Sequence, residues 1–480
     1  MKIMASYRHI LKYTGIFGGI QAVTMLASIL RNKAAALLID RYGQGINELF
    51  SNTVNLISTA TTLVMPVSVV RRLSQLYEQH GDGSEQLREE IRLVRSWSVL
   101  TGVVATLLTM AAAPLLSVLT LGSANFVRSF IFLSPILLLI SINGTEVAIL
   151  KATRRLRPLA VASALSSVTT LVVSVLSYWL WSLRGIVIAL DFSLLLTATI
   201  NLACTVKAYP YRAAPLRWSV LRRGGPLIKL SIAFLAASVV AALAEMLVRA
   251  YISNNGSIEN VGLYGAGFVL TITYTKFIFA AMDADYYPRL SGLVDNMVEA
   301  NVAINRQVVV CVVLVVPCLI LFTLFLPQVI RLLYRPEYLE IVPMVMCATP
   351  IMFSKAVCSP VAYTALAKGD SRMYLIIETI SALLMGGFVI GGYAAWGLMG
   401  AGIGLTVSNY VETVIILTVY NRVYGVRLSH QTVLIIFVEL LLLASALIVI
   451  AFLPIPALCY PIAIGLALTS ALVAWKSVRR

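Results

Sequence analysis

Charge is what this 480-residue chain has little of: 12% of its residues are charged and 59% hydrophobic, against about 25% charged in an ordinary soluble domain. So few polar groups cannot cover a water-facing surface, and a soluble globular protein is excluded. Histidine is equally scarce, with three residues scattered over a terminus and two loops, so no metal site is indicated. The six cysteines all lie in or at the edge of apolar runs and include no C-x-x-C, which leaves them as apolar filler. No G-x-x-x-x-G-K-[ST] occurs, so the chain carries no nucleotide motor of its own. Long loops are also missing. The longest on the side poor in basic residues is the short stretch around Asn254 to Val261, too little for an enzyme of the outer surface, so no enzymatic activity is expected.

What the sequence has is apolar runs. Fourteen of them lie at 14–38, 46–70, 96–119, 126–150, 158–181, 185–206, 226–252, 262–286, 305–332, 342–367, 373–394, 400–420, 433–453 and 459–475, near the roughly 20 residues that a membrane-crossing helix needs. They predict an all-α polytopic membrane protein with about 14 transmembrane helices. The first run is too long for a signal-peptide core and reads as an uncleaved helix. An even number puts both termini on one side. Taking that side as cytoplasmic, 27 of the 37 basic residues fall in its loops and 5 in the opposite ones, which is the bias that orients membrane proteins. The net charge of +16 therefore reports topology, and no nucleic-acid partner is expected. Arg128, Lys229, Arg306 and Arg331, at run ends, are counted with the loops beside them, and the other five basic residues, Arg31, Lys33, Arg249, Lys276 and Lys355, are the ones assigned to spans.

The chain also repeats itself. Gly45 precedes Arg72-Leu73-Ser74 by the same interval as Gly262 precedes Arg289-Leu290-Ser291, and Pro135 with Arg157 is matched by Pro350 with Arg372. Each copy holds six runs, so the two copies share one orientation, as in transporters built from parallel repeats. The predicted division is a first six-helix lobe over 1–206, a basic cytoplasmic linker over 207–225, a second lobe over 226–424 and an additional hairpin over 425–480.

The run Ser28-Ile29-Leu30-Arg31-Asn32-Lys33, then Gly43-Gln44-Gly45, then Val70-Arg71-Arg72-Leu73-Ser74 resembles the opening of the O-antigen and polysaccharide flippases. These belong to the multidrug/oligosaccharidyl-lipid/polysaccharide exporter superfamily. The similarity continues through Val261-Gly262, Tyr287-Pro288-Arg289-Leu290 and Trp396-Gly397 to Gly402, covering most of residues 10–424. One departure is Asp40-Arg41-Tyr42, where the family has a Gly-Pro type turn. The resemblance implies two six-helix lobes around a central cavity that opens alternately to each side. It also implies a cargo of oligosaccharide on undecaprenyl pyrophosphate, moved from the inner to the outer leaflet of a bacterial cytoplasmic membrane. The implied partners are that glycan, membrane lipids, a polysaccharide polymerase and chain-length proteins. A multidrug or peptidoglycan-precursor exporter of the same superfamily is the alternative, and a membrane polymerase or ligase a second.

A cation inside the membrane costs about 2.5–3.5 kcal/mol, so it faces a partner or a wet cavity. Arg31 and Lys33 either bind the pyrophosphate or snorkel to the interface. Arg249 pairs with Glu245 one turn away or acts as the second lobe's counterpart of Arg31. Lys276 pairs with Asp283 or faces the cavity. Lys355 has no acid near in its own run and is the strongest candidate for substrate contact. Glu146, Asp191, Glu245, Glu378 and Glu412 either couple transport to protons or sodium, or balance these cations. No cofactor is expected. Potential alone is a sufficient drive, because two negative charges moving outward gain about 4.6 kcal/mol per 100 mV. Pro66, Pro135, Pro317, Pro350 and Pro360 mark expected kinks, and Tyr178, Trp179, Trp181, Tyr393 and Trp396 an expected interfacial belt.

Overall fold

A computed structural model describes residues 23–61, 65–212, 218–273, 286–287, 289–294, 296–453 and 456–479. No strand occurs among them. Seven helical stretches among the described residues are long and apolar enough to cross a membrane, or eight if the pair meeting at Pro350 is one span. The protein is a polytopic all-α membrane protein. The chain divides into two compact units, Met1–Glu259 and Asn260–Arg480.

Unit 1 begins with α1 over 23–38. It continues with α2 (Asp40–Thr61), α3 (Met65–His80), α4 (Glu85–Leu121), α5 (Val127–Leu133), α6 (Ile136–Ala152), α7 (Leu156–Trp181), α8 (Gly185–Val206) and α9 (Trp218–Asn255). Asp40 joins α1 to α2 with a φ of 62°, and its Oδ1 accepts the Arg41 backbone N–H at 2.6 Å. Aspartate is one of the few residues besides glycine that enters this left-handed region readily, so a single residue makes the turn from α1 to α2. Thr24 lies beside Ser167, and Arg31 acts electrostatically on Tyr178. Both contacts advance together, so α1 and α7 run parallel, as a first and fifth span must.

Sequence division started the second lobe at 226, yet α9 packs on α2, α3 and α4 of unit 1. A Cβ on Gly45 would stand 1.9 Å from the Ile258 carbonyl oxygen, and Asn254 Nδ2 donates to the Leu119 carbonyl at 2.8 Å. The compact division therefore falls after Glu259, because contacts of this kind join residues far apart in the chain.

At the boundary lies α10 (Ile258–Phe268), continued by a π-helical turn over Val269–Thr273. Unit 2 then holds α11 (Met297–Leu324), α12 (Leu326–Leu333), α13 (Val342–Ala348), α14 (Pro350–Ala367), α15 (Ser371–Tyr424), α16 (His430–Phe452) and α17 (Pro456–Arg479). With 54 residues, α15 would rise about 81 Å if straight, far beyond a hydrocarbon core of about 30 Å. It is broken at Trp396 and Gly397, and its halves fold back on one another. Cβ atoms on Gly392 and Gly404 would stand 2.1 Å from Gly400 O and 2.2 Å from Phe388 O. In the hairpin, α16 and α17 pack on one another and on α11.

The repeat landmarks occupy equivalent places within each unit. Proline lacks the N–H that continues a helix. Accordingly α5 gives way to α6 at Ser134-Pro135, and α13 to α14 at Thr349-Pro350, the latter with a 41° bend. In each case the preceding hydroxyl bonds back into its own turn, Ser134 to Ile131 O and Thr349 to Val345 O, both at 2.8 Å. Pro317 and Pro360, also expected as kinks, lie inside continuous helices.

Candidate functional site

On α1 the residues exposed by 40% or more are Val23, Leu26, Leu30 and Leu37, the pattern of a lipid-facing stripe. At 100° per residue Lys33 falls on that stripe, a position that suits snorkelling. Arg31 lies on the other side, centred between buried Ala27 and Ala35 and within electrostatic reach of Tyr178. Tyr178 is itself buried and so departs from the expected belt, as does Tyr393, while Trp179, Trp181 and Trp396 are exposed. Among the described residues neither Arg31 nor Lys33 makes an ion pair.

The remaining described cations inside runs have carboxylates. Arg249, 4% exposed at its side chain, lies 3.2 Å from Glu48 Oε2 and 3.6 Å from Glu245 Oε2. The pairing with Glu245 is present, and Glu48 on α2 adds a second acid that the sequence reading missed, since it lies 201 residues away. Lys276 and its expected partner Asp283 lie outside the described residues.

Arg95, one residue before the run at 96–119 and so counted with the cytoplasmic loops, is 1% exposed. Its Nε and Nη2 meet both oxygens of Glu146 at 2.8 Å. Nη1 donates to the carbonyls of Tyr209 and Pro210 at 3.2 and 3.0 Å, and the Tyr211 ring covers the guanidinium. Thr205 adds a hydrogen bond to Glu146. Glu146 is thus a charge-balancing group that ties α4, α6 and the chain after α8 together. Next to it, Asp82 accepts bonds from Tyr209 and Arg155. Burial and Asp82 push the Tyr209 hydroxyl up to about 12, so it remains a neutral donor at any physiological pH.

In unit 2, Lys355 stands on α14. Beyond its first residue, the half-buried positions of this helix fall on one stripe containing Lys355, Ser359 and Tyr363, and none of its large apolar side chains is exposed. By contrast α16 exposes Val433, Leu434, Phe437, Leu441 and Ile448. The accessible side of α14 is mixed, with Lys355, Ser359 and Tyr363 beside Ala362, Leu366 and Ala367, where that of α16 is apolar. Lys355 Nζ lies 3.4 Å from Glu412 Oε2 on α15, with side chains 39% and 12% exposed. Asn409 Nδ2 donates to the same oxygen at 2.7 Å. Glu412 is about 200° round the helix from exposed Val414, away from the apolar stripe. Glu378 lies within electrostatic reach of Lys355 and accepts a hydrogen bond from Tyr374. The acid that the sequence could not find for Lys355 comes from another helix.

Asp191 and Glu439, carboxylates inside apolar helices, have no ion pair among the described residues. Asp191 on α8 has one buried oxygen without a hydrogen-bond partner. Glu439 on α16, absent from the sequence candidates, is 0% exposed, accepts the Ser470 hydroxyl and leaves its other oxygen unpartnered. A lone acid in a 23-residue apolar helix was the signal for it.

Residues 73–343 match a family model described as polysaccharide biosynthesis protein. No curated protein matches the chain. Among solved structures, the lipid II flippase MurJ in an inward closed conformation has a TM-score of 0.71 at 13% identity. That match covers 98% of this chain and 100% of MurJ. An inward-facing multidrug resistance MATE family transporter of the MOP superfamily gives 0.67 at 14%, over 86% and 98% of the two chains. A MOP superfamily transporter from Pyrococcus furiosus gives 0.60 at 15%, over 86% and 96%. At these identities the likeness is one of fold.

Proposed function

The chain belongs to the polysaccharide biosynthesis protein family, and on that premise we propose that it is a flippase for oligosaccharide linked to undecaprenyl pyrophosphate. It would carry this cargo by alternating access from the inner to the outer leaflet of a bacterial cytoplasmic membrane, with both termini on the cytoplasmic side. Sugar hydroxyls and a pyrophosphate cannot cross hydrocarbon unaided, while the lipid tail need never leave it. The likeness in fold to a lipid II flippase, over 98% of this chain, supports a lipid-borne cargo.

Arg31 is the observation that carries this reading. It is a cation within a membrane span, turned from the apolar stripe and without a carboxylate partner among the described residues. A planar fork of donors suits a phosphate oxygen pair better than a point charge does. Transport requires no covalent step, so binding, release and the outward-favouring potential suffice.

The test is reconstitution of the full chain in liposomes with the lipid-linked oligosaccharide. Arg31→Gln is expected to slow leaflet exchange at least tenfold, Arg31→Lys less, and Lys33→Gln less than twofold. Undiminished exchange by Arg31→Gln would remove the proposed site.

A further inference from the structure

Lys355 and its surroundings do not form a cationic site. The ammonium is matched by Glu412 at 3.4 Å, and Glu378 acts on it as a second acid. One cation facing two carboxylates repels a phosphate at range, so the pyrophosphate is a poor occupant. We infer that the accessible stripe of α14, with the turn of α15 around Asn409 and Glu412, binds the sugar portion of the cargo. The inference rests on the flippase reading and assigns to Lys355 a different part of the same molecule.

Hydrogen-bonding chemistry decides the assignment. Asn409 is 4% exposed. Its amide nitrogen is committed to Glu412 at 2.7 Å, while its Oδ1 is buried with no hydrogen-bond partner among the described residues. An acceptor in that state calls for a donor. An ionised pyrophosphate diester has acceptors alone and cannot satisfy it, whereas a sugar hydroxyl both donates and accepts. The backbone that carries this amide is held in place, since Ser354 Oγ donates to the Asn409 main-chain carbonyl at 3.2 Å and pairs with Thr413 Oγ1 at 2.7 Å. Carboxylate, amide and ammonium side by side offer paired acceptors and donors to neighbouring hydroxyls of a ring.

Tyr363 supplies the apolar half of sugar recognition. It lies eight residues along the same stripe, a rise of about 12 Å, which fits a short oligosaccharide better than a single ring. The Tyr286 and Tyr287 rings flank it at 6.2 and 5.8 Å between centroids. Tyr286 is buried, and its hydroxyl is fixed to the Pro360 carbonyl at 2.8 Å. The electron-rich face of a ring held in this way suits the weakly positive C–H face of a sugar.

The experiment places the full chain in lipid nanodiscs and measures Kd for two ligands. One is bare undecaprenyl pyrophosphate, and the other the lipid-linked oligosaccharide extracted from cells that make this protein. The unaltered chain should bind the glycosylated carrier at least tenfold more tightly. Tyr363→Leu should reduce that preference to within twofold and leave bare-carrier affinity unchanged, while Tyr363→Phe retains it. Lys355→Gln should also reduce the preference without weakening the bare carrier. Preference retained in Tyr363→Leu, or equal binding of both ligands by the unaltered chain, overturns the inference and leaves the flippase reading standing. A tenfold loss of bare-carrier affinity in Lys355→Gln overturns it too, returning Lys355 to the pyrophosphate. Failure of the unaltered chain to bind either ligand defeats the flippase reading itself.

Discussion

A buried guanidinium is tolerable only when its donors are taken and its charge is matched. Arg95 meets both conditions through Glu146 and the Tyr209 and Pro210 carbonyls. Removing either partner strands the other. Arg95→Ala and Glu146→Ala are each expected to cost about 3–5 kcal/mol, and the double variant less than their sum. Thermal unfolding of the purified protein in detergent checks this. Arg31 and Lys33 make the complementary point at the same scale. Two positions apart on one helix, they fall on different sides, one between buried alanines and one among exposed leucines.

At the scale of elements, the turns are set by backbone chemistry written in the chain. Prolines 135 and 350 end α5 and α13, and Gly397, with a φ of 59°, permits the reversal within α15. The two halves of α15 then approach so closely that a Cβ on Gly400 would stand 1.9 Å from Gly392 O. Small residues are what allow helix backbones this near in a membrane. Gly400→Val is therefore expected to force the halves apart and lower the unfolding midpoint by several degrees or abolish folded yield. Gly465→Val, where a Cβ meets nothing within 4 Å, should be neutral in the same assay. The sequence displayed these glycines and prolines, yet which of them touch backbone depends on neighbours that periodicity does not identify. Pro360 shows this directly, since it sits in an unbroken α14 with its carbonyl bound by Tyr286.

For the whole molecule, the 27 to 5 division of basic loop residues makes a prediction about sidedness. An impermeant maleimide should label Leu183→Cys, at the exposed turn between α7 and α8, in intact cells. His80→Cys, at the end of α3, should react only after permeabilisation. The reverse pattern would invert the orientation. Hydropathy and charge bias settled the all-helical, many-span class, because burial in lipid demands uninterrupted apolar length whatever the neighbours are. They did not assign the charged residues within spans. Glu48 and Arg249 are 201 positions apart, Lys355 and Glu412 57, and Arg95 and Glu146 51. Whether an intramembrane charge is neutralised or available to a ligand depends on which helix lies alongside. That adjacency arises only when the helices pack, so the sequence determined how many charges had to be accounted for and the tertiary structure decided which were already matched.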